Sequence, residues 1–278
     1  MQTAKQIETQ LERYRLHLVR EEYSPETVQK YLRDIRFFLR TLPEGGCVTK
    51  EAVLSYKGAL LESRRVSSAN SMLVALNVFL SFLGRPECRV KLFRVQRRTF
   101  RDRELSRGEY LRLVRAAQRR SERLALLLQT LCSTGIRVSE HRFITVEALK
   151  SGAVQITNKG KTRHIVLQPK LCSMLKRYCA RRGVTGGPVF VSRSGRPLGR
   201  SNIWREMKRL SLAAGVEPGK VFPHNLRHLF AVCYYQQEKD IVHLADILGH
   251  ASIETTRIYT STSPEQQAQT LSRLHLLL

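Results

Sequence analysis

Apolar residues in the first part of the chain recur every three or four positions, the period of a helix with one buried face. Ile7, Leu11, Tyr14 and Leu18 share one such face. A second run opens at Ser24-Pro25-Glu26, which supplies an N-cap hydroxyl, a proline at the first helical position and an early acid. Val28, Tyr31, Leu32, Ile35, Phe38, Leu39 and Leu42 follow at helical spacing. A third helix is predicted from near Thr49 to about Glu62. A fourth carries Met72, Leu73, Leu76, Leu80 and Leu83 and stops at Gly84-Arg85-Pro86. Four amphipathic helices can bury a core of their own, so residues 1–86 read as a helical domain.

The pattern then lapses. Residues 87–103 hold Arg89, Lys91, Arg94, Arg97, Arg98, Arg101 and Arg103 without a long apolar period, and read as a basic linker. A second domain, 104–278, opens at Ser106-x-x-Glu109, which has capping-box form. A helix from about Arg123 ends near Gly135. Ala153–Thr157 and Thr162–Gln168 flank Asn158-Lys159-Gly160-Lys161 and read as a hairpin. Pro169 starts a helix to about Arg182, a short strand is predicted over Val189–Val191, and helical pieces follow Ser201. The tail from Ser263 through Leu271, Leu274, Leu276, Leu277 and Leu278 reads as a capped amphipathic helix. The expected fold is mainly α with a small β-sheet.

Charge narrows the class. The 278 residues include 48 Lys+Arg against 23 Asp+Glu, a formal net charge of +25. Such an excess points to an anionic partner, and phosphate-rich nucleic acid is the usual one. The six cysteines form no C-x-x-C pair, which argues against a zinc ribbon or a redox motif. The polar N-terminus does not read as a signal peptide, and no apolar run reaches membrane-spanning length. A soluble, cytoplasmic protein is expected.

Four segments carry chemistry: Thr134-Gly135-Ile136-Arg137-Val138-Ser139-Glu140, the hairpin tip with Lys159, Pro223-His224-Asn225-Leu226-Arg227-His228, and Leu248-Gly249-His250 followed nine residues later by Tyr259. His224 and Arg227, three apart on one helix, face the same side. In this order the segments resemble the tyrosine recombinase (phage integrase) family, especially its compact Xer-like members. The family pattern is Arg, Lys, His-x-x-Arg, His or Trp, then Tyr, and every position is filled. The resemblance covers about Glu104 to Thr262. It extends more weakly to the first domain, which it identifies with the family's four-helix, SAM-like core-binding domain, ahead of a mixed α/β catalytic domain.

The resemblance implies cleavage of DNA by Tyr259 through a covalent 3′-phosphotyrosine. Arg137 and Arg227 suit the non-bridging oxygens, where charge grows in the transition state. His224 suits the phenol proton, His250 a non-bridging oxygen, and Lys159 the leaving 5′-oxygen. Lys159 is preferred over Lys161 on its spacing to the second strand. Arginines supply the positive charge, so neither metal nor cofactor is expected. Glu140 either orients Arg137 or lies on the surface, and His141 reads as a buried, hydrogen-bonded histidine. Tyr234 and Tyr235 are decoys. Three positions depart from the family pattern: Asn225 where Asp is common, Leu167 where Pro is common, and Glu238-Lys239 in a turn that often carries Gly. The implied assembly is a C-shaped, two-domain clamp on double-stranded DNA. Four copies, linked by the C-terminal tail, would act on two sites, as in a mobile element or chromosome resolution. The alternatives are a type IB topoisomerase-like relaxation activity and a DNA-binding protein without catalysis.

Overall fold

The computed structural model describes residues 10–43, 46–94, 104–158, 161–250 and 252–259. The chain divides into two compact units, Met1–Arg98 and Thr99–Leu278.

Unit one contains α1 (Leu11–Arg20), α2 (Pro25–Leu39), α3 (Lys50–Ser63) and α4 (Val66–Phe82). Their starts are written in the sequence. Ser24 Oγ accepts from the Thr27 backbone N–H ahead of Pro25, and Thr49 Oγ1 accepts from that of Ala52. Leu18, Ile35, Phe38, Leu73 and Phe79 are fully buried, and Tyr14 meets Phe79 edge to face at 4.8 Å. Cys88 and Val90 join the same core, so the start of the basic stretch packs on these helices.

Unit two is built around α6 (Glu122–Thr134). Leu124 to Leu128, Thr130, Leu131 and Thr134 are all buried, so this helix is covered on nearly every side. The other helices are α5 (Arg107–Arg120), α7 (Val146–Ser151), α8 (Pro169–Arg182), α9 (Arg200–Ala213), α10 (Pro223–Glu238) and α11 (Ile241–Leu248). The Ser106–Glu109 capping box forms with both of its hydrogen bonds. Strands β1 (Ala153–Asn158) and β2 (Lys161–Val166) pair antiparallel, from Ala153 opposite Val166 to Asn158 opposite Lys161.

The strand predicted over Val189–Val191 does not form. Val189 and Phe190 are buried, but only isolated bridges flank them, Thr145 to Pro188 and Val191 to Pro197. Both bridges involve a proline, which lacks the N–H a ladder needs. The sheet therefore keeps two strands. Pattern reading also lacks α7 and the 3₁₀ segment Val138–Phe143, each too short for a helical period to show.

The departures from the expected pattern have local explanations. Leu167 donates its backbone N–H to the Gly152 carbonyl at 2.8 Å, a bond proline could not make. Asn225 is buried, and its amide donates to the Lys220 carbonyl. Lys239 takes φ 57° as the C-cap of α10, the left-handed conformation for which glycine is favoured. Asp240 then caps α11, Oδ1 accepting from the Val242 and His243 N–H groups, so the two helices turn a sharp corner. Among the described residues no helix is long and apolar enough to cross a membrane, and no cluster of His, Cys, Asp and Glu could hold a metal ion.

Gly135 ends α6 at φ 63°, and a Cβ there would lie 2.4 Å from the Phe230 ring. Gly152 ends α7 at φ 74° with nothing within 4 Å. Gly152→Ala therefore costs the left-handed strain alone, about 1–2 kcal/mol, whereas Gly135→Ala adds a clash. Chemical denaturation should rank Gly135→Ala as the more destabilising; equal losses would refute the close approach of α6 and α10.

Candidate active site

The site begins where α6 stops. Gly135 reverses the chain, and two residues later Arg137 caps the 3₁₀ segment Val138–Phe143. Glu140, 3% exposed, turns back onto it. Its Oε2 accepts the Arg137 backbone N–H at 2.6 Å, and its Oε1 accepts Arg137 Nη1 at 3.0 Å. The same carboxylate takes Nη2 of Arg163, from β2, at 2.6 Å. Arg137 Nη2 reaches on to the Gly249 carbonyl at 3.1 Å. Glu140 is thus a buried orienting group and not a surface one.

Arg227 comes from α10 and is 2% exposed. Its partners are not carboxylates. Nη1 donates to the Gly135 carbonyl at 2.7 Å, and Nη2 to the Leu248 carbonyl at 2.6 Å. Nη2 also lies 3.0 Å from His250 Nε2. Burial, with the Arg137 charge second, pushes the pKa of Arg227 down to about 10, which leaves it cationic at neutral pH. His224, three residues earlier on the same helix, has an exposed edge. The surrounding protein and the Arg227, His228 and Arg137 charges hold its pKa below the usual histidine value.

A guanidinium can only donate, so His250 Nε2 is the acceptor and the ring proton sits on Nδ1. Nδ1 then donates to Thr256 Oγ1 at 2.8 Å. Burial and the neighbouring arginines push the His250 pKa down to about 4, so the ring is neutral at neutral pH. Thr256 is fully buried, and its carbonyl accepts the Tyr259 backbone N–H at 3.0 Å. One continuous set of hydrogen bonds therefore runs from Arg227 through His250 and Thr256 to Tyr259.

Tyr259 is 5% exposed and packs with Ala231, Leu244 and Leu248 between α10 and α11. Its ring lies parallel to His250 at 6.2 Å and edge-on to His228 at 4.9 Å. Burial raises its pKa, while Arg227 and Arg137 pull the other way without overcoming that rise. The resting side chain is a neutral phenol. Tyr234, by contrast, is engaged with His243 Nδ1 at 3.1 Å.

The structure thus brings Arg137, Arg227, His250 and Tyr259 together and sets His224 one helical turn from Arg227. Lys159 lies outside the described residues. Two participants escape motif reading. Arg163 shares the inward face of its strand with Ile165, and Leu167 just beyond the strand continues the alternation, both of them buried; a polar residue on that alternation was the available signal. Thr256 carries no comparable signal. His141 is buried as expected, and Nδ1 meets the Val138 carbonyl, but Nε2 has no partner among the described residues.

The depressed pKa of His250 has a signed consequence. Between pH 6.5 and about 4 the unfolded ring binds a proton that the folded ring refuses. Folding stability therefore falls as pH drops through that window and is unaffected by this group above it. His250→Gln, which keeps an acceptor for Arg227, should flatten the fall in denaturation profiles; an unchanged slope would contradict the neutral, accepting histidine.

Residues 103–266 match the model of the phage integrase family, and residues 11–87 match that of the phage integrase N-terminal SAM-like domain. Tyrosine recombinase XerA of Pyrococcus furiosus is 28% identical over 275 residues, 96% of this chain and 94% of that protein. Among solved structures, XerH site-specific recombinase bound to its difH substrate gives a TM-score of 0.73 at 18% identity, over 99% of this chain and 85% of that one. A lambda integrase tetramer bound to a Holliday junction gives 0.74 at 20% identity, over 93% and 79%. With its catalytic unit matched along most of its length and its helical unit matched separately, the chain belongs to the phage integrase family.

Proposed function

We propose that this protein is a site-specific DNA recombinase that cleaves and rejoins strands through a covalent 3′-phosphotyrosine on Tyr259. The observation that carries the reading is the hydrogen-bonded path from the buried Arg227 through His250 and Thr256 to the Tyr259 backbone. The Tyr259 ring itself sits against two histidines.

A phosphodiester docking against Arg137 and Arg227 brings its negative charge to one guanidinium, Arg227, held by carbonyls and His250, and to another, Arg137, whose carboxylate Glu140 is shared with Arg163. The phenol oxygen attacks phosphorus, the bond to the 5′-oxygen breaks, and the 3′-phosphate stays on Tyr259. The phenol starts protonated, so a base is needed. His224, neutral and on the turn before Arg227, is suited to take that proton. Lys159 is assigned the proton for the departing 5′-oxygen. His250 accepts from Arg227 through Nε2; donation from Nε2 to a phosphate oxygen requires the ring to move its proton from Nδ1 or gain a second one. Attack by the 5′-hydroxyl of another strand reverses the step and joins the new partner. The bond energy is retained in the phosphotyrosine, so joining consumes no nucleotide.

The fold shared with a DNA-bound XerH and with a lambda integrase tetramer on a junction supports double-stranded DNA as substrate and four copies as the working assembly. The apolar tail that would link those copies lies outside the described residues. Service to a mobile element is the finer reading, and inverted half-sites in the DNA flanking the gene would favour it.

Nicked duplexes drawn from the DNA flanking the gene should trap a detergent-stable protein–DNA adduct. Tyr259→Phe abolishes it, Tyr234→Phe leaves it, and Arg137→Ala or Arg227→Ala slows its formation by about 10²-fold or more. DNA binding with no adduct under any condition overturns the reading. Relaxation of supercoils without exchange between two sites would select topoisomerase-like activity instead.

A further inference from the structure

Beyond the catalytic unit, α4 carries two asparagines, Asn70 and Asn77, seven residues apart and so on one face two turns from each other. Each pairs its whole amide with the backbone of one residue of the basic stretch. Asn77 Nδ2 donates to the Val90 carbonyl at 2.8 Å, while its Oδ1 accepts the Val90 N–H at 3.0 Å. Asn70 does the same with Phe93, at 2.9 and 2.8 Å. The spacings agree. Seven helical residues rise about 10.5 Å, and three residues of polyproline-type chain span about 9 Å. Residues 90–93 are therefore stretched along α4 with a three-residue repeat. Lys50 donates to the Glu87 and Arg89 carbonyls, Val90 is buried, and Lys57 sits 4.8 Å over the Phe93 ring.

This arrangement is unusual for a charge run, since four amide hydrogen bonds fix its backbone. Meanwhile Arg89, Lys91 and Arg94 are all exposed. Glu87 pairs with Arg85, and among the described residues none of the three cations has an ion-pair partner. Three charges at fixed places along roughly 15 Å of extended chain form a preordered row.

We propose that Asn70 and Asn77 are positioning residues that hold residues 89–94 as a cationic strip for the phosphate backbone of duplex DNA. The strip rests on the reading of this protein as DNA-binding, and adds where and how one part of the duplex is held. Clamping places the ordering cost in folding, so that binding need not meet it.

The test measures affinity of the full chain for a short duplex of arbitrary sequence across a salt series. Three variants are compared with the wild type: Arg89→Ala/Lys91→Ala/Arg94→Ala, Asn70→Ala/Asn77→Ala, and all five changes together. The charge variant should lower the salt slope by about 2–3, since each lost phosphate contact removes about 0.9. The asparagine variant keeps the full charge of +25 yet should bind about tenfold or more weakly. The fivefold variant should bind no worse than the charge variant. A charge variant with an unchanged slope overturns the strip. An asparagine variant that binds like the wild type overturns the clamp. A wild type that binds no duplex overturns the DNA reading itself. The charge variant alters only exposed side chains and decides the strip; where the double asparagine variant does not fold, the single Asn77→Ala variant, which leaves the Asn70 pairing in place, decides the clamp by the same comparison.

Discussion

A guanidinium buried without a carboxylate of its own is the constraint on which this site is built. Arg227 is satisfied instead by the carbonyls of Gly135 and Leu248. These are the C-cap of α6 and the last residue of α11, where carbonyls lack helical partners and the helix dipole is negative. Arg137 uses the same device with Gly249, the C-cap of α11. Two helix ends thus hold two arginines in place while supplying only partial charges. Among the described residues the one full counter-charge in the network, Glu140, is divided between Arg137 and Arg163. The site is left positive, which suits an incoming phosphodiester.

Much of the surrounding structure follows from that constraint. Helix α6 must end on a residue that tolerates the left-handed region and leaves room for the Phe230 ring, which only glycine does. Gly249 is pressed in the same way by Arg163, whose Nη1 would lie 2.3 Å from an added Cβ. The corner at Lys239 and Asp240 lets α11 return alongside α10, so that its last carbonyls face Arg227. His250, one residue beyond, then passes the fixed position of Arg227 on to Thr256 and the segment that carries Tyr259. Packing links the nucleophile to the same scaffold, since Tyr259 shares its small core with Leu244 and Leu248 of α11 and Ala231 of α10.

The long helices and their starts were legible in the sequence because they depend on local chemistry. Ser24, Thr49 and Ser106 cap where their neighbours imply, and Pro25 and Pro169 stand at first helical positions. The strand over Val189–Val191 was misread because apolar composition reports burial and not pairing, and the flanking prolines limit the ladder. Within the site, residue types in order identified Arg137, His224, Arg227, His250 and Tyr259 as candidates. What the order could not reveal was who holds whom. Backbone carbonyls at helix ends have no residue signature, Thr256 is one threonine among many, and Arg163 shows itself only when strand alternation is followed to its inward face. The asparagine clamp on residues 90 and 93 was hidden for a similar reason, because its partners are main-chain groups.

The most direct test of unbalanced guanidinium charge as the source of phosphate activation replaces the scissile phosphate with a methylphosphonate, which removes the negative charge of one non-bridging oxygen. Adduct formation is then measured for the wild type, Arg137→Ala and Arg227→Ala on both substrates. The account predicts that the arginine variants, about 10²-fold or more slower on the phosphodiester, regain cleavage on the neutral linkage. Variants that stay that slow on the methylphosphonate while the wild type cleaves it would contradict the account.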